Sequence, residues 1–175
     1  AKKMEALAQA NEALKTGANA APAIDKQNAT EKPLKVLVAE DNITNQMVLE
    51  ALLKSTNVEY EIVENGRKCL DRVSEKHFDA VLIDIKMPVM DGVEATLKIR
   101  ANERRENKQR LPIVALTANA MAHQIEKYEA AGMDGCIAKP YRVEDLIDTL
   151  HGAIKASKSG AAETPNLWHS QRAVG

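Results

Sequence analysis

The sequence predicts an α/β fold: a doubly wound, five-stranded parallel sheet covered by helices on both faces. Two observations carry this. Short apolar runs recur at fairly regular intervals with amphipathic helical patterns between them, and that alternation implies parallel βα crossovers. The first, third and fourth runs are apolar without alternation, as central strands covered on both sides must be. The 175 residues hold one domain of ordinary size with flanking segments, and a hydrophobic content of 45% supports a real core.

The elements follow in chain order. Residues 1–15 are Ala-rich strong helix formers, with Met4, Leu7, Asn11 and Leu14 at 3-4-3 spacing. They read either as a frayed helix end or as the tail of a longer signalling helix. Residues 16–34 lose periodicity and read as a linker. The strand candidates are "KVLVA" from Lys35, "VEYEIV" from Val58, "DAVLID" from Asp79, "PIVALT" from Pro112 and "DGCIAK" from Asp134. The first intervening helix is marked by Ile43, Met47, Val48, Ala51 and Leu52. Cys69, Leu70 and Val73 mark the second; Val93 and Leu97 mark the third, with Asp91 as its cap and Glu94 three residues on. Met121, Ile125 and Tyr128 mark the fourth, and Val143, Leu146, Ile147, Leu150 and Ile154 the fifth. Residues 157–175 return to mixed polar composition as a tail, too short for an output domain.

Bulk properties exclude several classes. A formal charge of −1, from 24 basic and 25 acidic residues, offers no electrostatic case for nucleic acid or an anionic membrane. No apolar run reaches the ~18 residues a membrane span needs, so no membrane contact is expected of this segment. Cys69 and Cys136 are far apart and read as buried thiols in a reducing cytoplasm. His77, His123, His151 and His169 read as exposed helix or loop residues. The chain opens on Ala1 rather than Met, as a piece of a longer protein would.

Chemistry collects where the strands end. "VLID" drives an apolar run into the carboxylate of Asp84, which is costly unless something binds that group or reacts with it. Ligand sites of open parallel sheets lie beyond the carboxyl ends of the strands. There the first strand delivers Glu40 and Asp41, the third Asp84, the fourth Thr117 and the fifth Lys139-Pro140. Crowded carboxylates repel, by roughly 4 kcal/mol for a pair about 4 Å apart at an effective dielectric near 20. Either some of them are protonated or a cation sits among them, and oxygen-only ligands suit Mg²⁺. Carboxylate, hydroxyl, lysine and divalent cation together form a site for phosphoryl uptake, with a carboxylate as nucleophile.

The segments "AEDN", "IDIKMPVMDG", "ALTA" and "AKP" resemble the signature segments of receiver domains of two-component response regulators. The fuller "VAEDNITNQ" and "LTANAM" most resemble receivers attached to hybrid sensor histidine kinases. The resemblance spans residues 35–156 and implies a flavodoxin-like (βα)5 fold with strand order 2-1-3-4-5. It implies Asp84 as phosphoacceptor, Thr117 as switch hydroxyl and Lys139 as the phosphate-contacting lysine. Glu40, Asp41, Asp84 and the backbone carbonyl of Lys86 would hold Mg²⁺, and Pro140 would follow a cis peptide. The implied partners are a histidine kinase or histidine phosphotransfer domain, with a kinase core in the same parent chain. Receivers usually carry a switching Tyr or Phe three residues before the lysine; here Cys136 stands there, with Tyr141 nearby.

Rival readings are weaker on the residues. Aspartate-nucleophile phosphatases of the haloacid dehalogenase type need a second carboxylate two residues after the nucleophile, where this chain has Lys86. A pseudoreceiver working without phosphorylation is the alternative; its usual mark is loss of the acceptor or the lysine, and both are present. The tail cannot hold a helix-turn-helix, and no nucleotide-binding kinase boxes appear. No stand-alone enzyme is expected beyond Mg²⁺-dependent self-phosphorylation and dephosphorylation.

Overall fold

The computed structural model describes residues 32–160 and Trp168. Predictions for residues 1–15, for the linker up to residue 31 and, Trp168 apart, for the tail beyond residue 160 lie outside the described residues. Five strands, β1 (Leu34–Ala39), β2 (Val58–Val63), β3 (Ala80–Asp84), β4 (Ile113–Thr117) and β5 (Gly135–Ala138), pair in parallel in the order β2-β1-β3-β4-β5. Between and after them run α1 (Ile43–Lys54), α2 (Gly66–Glu75), α3 (Gly92–Glu106), α4 (Ala122–Ala131) and α5 (Val143–Ser159). This is the flavodoxin-like order expected. None of the described helices is long and apolar enough to cross a membrane.

Strand alternation sends side chains to two cores, one on each face of the sheet. Leu37, Ala39, Val81, Ile83, Ile113 and Ala115 pack with Cys69, Ala95, Ile99 and Tyr128, which come from α2, α3 and α4. Trp168 is partly buried against this core. Val36, Val38, Leu82, Val114, Leu116 and Ile137 pack with Leu49 and Leu53 of α1 and Leu146 and Leu150 of α5.

Three helix faces differ from the expected ones. α1 buries Leu49 and Leu53, while Ile43 is 73% and Met47 64% exposed. Its sequence "ITNQMVLEALLK" is apolar on more than one stripe, so periodicity alone admits either face. In α3 the buried residues include Ala95, Thr96, Ile99 and Arg100, whereas Leu97 is exposed. Two of these are polar, with partners that only the fold supplies: Thr96 Oγ1 donates to the Gly92 carbonyl at 2.8 Å, and Arg100 enters an ion network. Met121 is not part of α4's buried stripe; it precedes the helix as its N-cap and is exposed.

The network at Arg100 ties the amino edge of the sheet together. Arg100 donates to both Glu103 carboxylate oxygens at 2.8 Å, to Asp134 Oδ2 at 2.9 Å and to the Gly132 carbonyl at 2.9 Å. Asp134 Oδ2 also accepts the Ile113 backbone N–H at 2.9 Å. Arg110 adds bonds to Asp134 and to the Gly132 carbonyl. The start of β4, the end of α3 and the turn before β5 are thus held by one buried cluster.

Candidate functional site

The site forms at the carboxyl edge, where the order reverses at β1 and β3. Glu40 follows β1 directly and is fully buried. Its Oε1 accepts from the Asn42 backbone N–H at 3.1 Å and from Asn45 Nδ2 at 3.3 Å. Its Oε2 makes no hydrogen bond and lies 3.6 Å from Lys139 Nζ. Burial raises the Glu40 carboxyl above its ordinary range; the nearby Asp84 charge adds to this, while the Asn42 N–H and Lys139 oppose it.

Asp84 ends β3 with only 6% exposure. Lys139 Nζ donates to its Oδ2 at 3.1 Å, and the Lys86 backbone N–H donates to Oδ1 at 3.3 Å. Carboxylate oxygens of Glu40, Asp41 and Asp84 all lie within 4.8 Å of one another. Asp41 and Lys86 line the same open cleft with Met87, Pro88 and Asp91. Gly92 lets α3 begin against this edge: a Cβ there would meet the Asp84 carbonyl oxygen at 2.3 Å. The Gly92 N–H instead bonds the Ile85 carbonyl at 3.0 Å.

The donor set fits a hard divalent cation. It is all oxygen and acidic, and it includes one buried carboxylate oxygen without a hydrogen-bond partner, which such a cation would satisfy.

Thr117 and Lys139 come from the neighbouring strands, joined where the Lys139 N–H bonds the Thr117 carbonyl at 2.9 Å. Lys139-Pro140 is a cis peptide, as the resemblance implies. Glu40, Asp41, Asp84 and Lys139 converge. The Thr117 hydroxyl does not bond Asp84 here; it is engaged with Asn119 and with the hydroxyl of Tyr128. Tyr128 is the residue that sequence reasoning missed. It reads as one more apolar position on a helix stripe, and nothing in the chain marks its hydroxyl as a neighbour of Thr117. Tyr141 belongs with the opposite core and lies over Lys139, its ring centroid 6.0 Å from Nζ. Burial, with the Glu40 and Asp84 charges, raises the Tyr141 hydroxyl above its ordinary range. The Cys136 thiol is pushed up to about 11 and the Cys69 thiol to about 12 by burial, so both stay protonated.

A pH dependence follows from Glu40. A carboxyl raised in the folded state favours folding when protonated, and that contribution is lost as pH rises through the folded value. The metal-free protein is therefore expected to gain stability at neutral pH from Glu40→Gln, which keeps an acceptor for Asn42 and Asn45. The gain should shrink as pH falls through the carboxyl range. Thermal melts of both proteins across that range check this; a constant difference would show that charge is not its source.

Comparison with known proteins agrees with this architecture. A family model described as the response regulator receiver domain matches residues 36–151. The chain is 42% identical over 116 residues to the sensor protein GacS of Pseudomonas syringae pv. syringae, covering 66% of this chain and 13% of that protein. It is 33% identical over 133 residues to the sensor histidine kinase RcsC of Escherichia coli K12, covering 76% of this chain and 14% of that protein. The chain thus spans only a small part of these curated relatives. Among solved structures, it is similar to the receiver domain of the sensor histidine kinase PA1611 of Pseudomonas aeruginosa PAO1, crystallised with magnesium in its active-site cleft. That match has a TM-score of 0.63 and 38% identity, covering 70% of this chain and 98% of the other. The receiver domain of Saccharomyces cerevisiae Ssk1, solved with the histidine phosphotransfer protein Ypd1, gives a TM-score of 0.67 and 25% identity, covering 71% and 91%.

Proposed function

The chain belongs to the response regulator receiver domain family, and from that premise we propose that it accepts a phosphoryl group on Asp84 from a phosphohistidine donor. An Asp84 carboxylate oxygen attacks phosphorus, the P–N bond breaks, and the imidazole leaves with the bonding electron pair. The product is an acyl phosphate on Asp84. The observation that carries this reading is the buried Asp84 carboxylate held 3.1 Å from Lys139 Nζ inside an acidic cluster. Such a carboxylate is oriented, and its ammonium partner can offset charge that rises to about −2 on phosphorylation.

Glu40, Asp41, Asp84 and the Lys86 carbonyl would hold Mg²⁺. When bound, the ion supplies positive charge to the phosphoryl oxygens and relieves carboxylate repulsion. Lys139 orients Asp84 and then contacts the transferred group, while the Thr117 hydroxyl donates a hydrogen bond to a phosphoryl oxygen. Both the acceptor and the lysine are present and in contact, which favours this over a pseudoreceiver. Lys86 at the general-acid position opposes the phosphatase reading.

For partners, the exposed apolar side chains Ile43, Met47 and Val48 on α1, with Val89 and Met121 on the loops after β3 and β4, support docking at this rim. The partner would be a histidine phosphotransfer protein or the phosphohistidine-bearing part of a kinase. The receiver proper would be residues 34–159, from the start of β1 to the end of α5, and so one residue longer at its start and three at its end than the expected 35–156. It would be carried after a helical extension (1–15) and a linker (16–33) in a cytoplasmic hybrid histidine kinase, with 160–175 as tail.

The test is direct. With Mg²⁺ and acetyl phosphate, the protein should gain a single phosphoryl group, stable in acid and lost in base, and intact mass spectrometry reads it. Omission of Mg²⁺ should suppress it, and Mg²⁺ should stabilise the fold by mass action, by about 2.7 kcal/mol at a hundred times its Kd, which a raised melting temperature reads. No label with either acetyl phosphate or a phosphohistidine donor would leave the pseudoreceiver reading.

A further inference from the structure

We propose that Tyr128 is the element that reads the state of Thr117, holding its hydroxyl at rest and moving α4 when that hydrogen bond is released. This rests on Asp84 as phosphoacceptor.

Thr117 Oγ1 donates to the Asn119 carbonyl at 2.9 Å and accepts from the Asn119 N–H at 3.0 Å. Its one proton is therefore used, and its remaining lone pair faces Tyr128 Oη at 3.2 Å. Tyr128 must be the donor. At 3% exposure, Tyr128 has no water to replace Thr117 if that acceptor leaves.

Phosphorylation asks Thr117 to give the same proton to a phosphoryl oxygen. The hydroxyl must then turn toward Asp84, leaving both Asn119 and Tyr128. A buried tyrosine hydroxyl left without an acceptor is unfavourable, so the ring follows Thr117 or finds another acceptor. In this switch α4, which carries the ring, shifts with it. Cys136, a small side chain, lies in the same core as Tyr128.

The helix is built to pivot. At its carboxyl end, Gly132 is held by Arg100 and Arg110, which both donate to its carbonyl at 2.9 Å. At its amino end the N-cap is Met121, with no side-chain cap hydrogen bond. Motion is then largest near Ala122–Gln124 and smallest near Ala131.

The test uses beryllofluoride with Mg²⁺ as phosphoryl mimic on the wild type, Tyr128→Phe, Thr117→Ala and the double variant. Tyr128→Phe keeps the ring but removes the hydrogen bond that holds Thr117 at rest. It should bind beryllofluoride about fivefold more tightly, the effect of one ordinary hydrogen bond. In the Thr117→Ala background the same change should alter affinity by less than about 1.5-fold, since there is no hydroxyl to hold. Amide resonances of wild-type α4 should shift on binding, most at its amino end, and shift less in Tyr128→Phe. Equal affinities for wild type and Tyr128→Phe, with strong shifts at Asp84 and Lys139 but none in α4, would overturn this inference alone. No response at Asp84 and Lys139 in the wild type would overturn the phosphoacceptor reading, and this inference with it.

Discussion

Asp84→Asn is expected to lose phosphoryl uptake while the fold stays intact. An amide nitrogen has its lone pair delocalised into the carbonyl and cannot replace the carboxylate as nucleophile. The fall should be at least about a thousandfold in labelling rate, or ~4 kcal/mol in the barrier. Stability should hold or rise. The asparagine oxygen can still accept the Lys86 N–H, and Lys139 keeps the Glu40 carboxylate 3.6 Å away. Removing the Asp84 charge also removes one of the influences that raise Glu40. Acetyl phosphate labelling followed by intact mass, with a thermal melt on the same sample, measures both effects. Labelling at the wild-type rate would mean that another side chain is the acceptor.

The second large effect lies at the opposite end of the sheet. Arg100→Ala should destabilise the domain by about 3–5 kcal/mol, the range seen when one partner of a buried ion pair is removed. The side chain is 5% exposed, and its partners Asp134 and Glu103 are 11% and 12% exposed, so solvent cannot replace it cheaply. Its loss would leave Glu103 without the Nη1 group that reaches both its carboxylate oxygens, and the Gly132 carbonyl with Arg110 alone. For a domain of this size the melting temperature should drop by roughly 10–20 °C. Arg105, on the same helix but 71% exposed, is the control, and its change to alanine should stay within about 0.5 kcal/mol. Equal effects from the two substitutions would show that the buried network contributes no more than a surface pair.

These two sites differ in how far they can be read without coordinates. Asp84 announces itself because a carboxylate ends an otherwise apolar strand, an anomaly within one short segment. Arg100 does not. A single arginine among the charges of α3 looks like any solvated residue, and its acceptor Asp134 is 34 positions away. The same limit hid the face of α1. Its apolar positions form more than one stripe, and only the strands beneath the helix select Leu49 and Leu53 and leave Ile43 and Met47 exposed.

Local pattern was enough for the class of fold, the five strand positions to within a residue or two, and the residues delivered at each strand end. Periodicity and apolar runs are properties of neighbouring residues, and each strand's last residue is set by the same pattern. The sequence already predicts that Glu40, Asp41, Asp84 and Lys139 share one sheet edge; the distances between them follow from the pairing of β1 with β3 and are set only in the assembled sheet. The fold alone also turned Tyr128 from a core residue into the hydroxyl partner of Thr117. A sequence pattern says that a ring is buried. The polar atom it meets there depends on which strand end the helix crosses, and that is a matter of packing between distant segments.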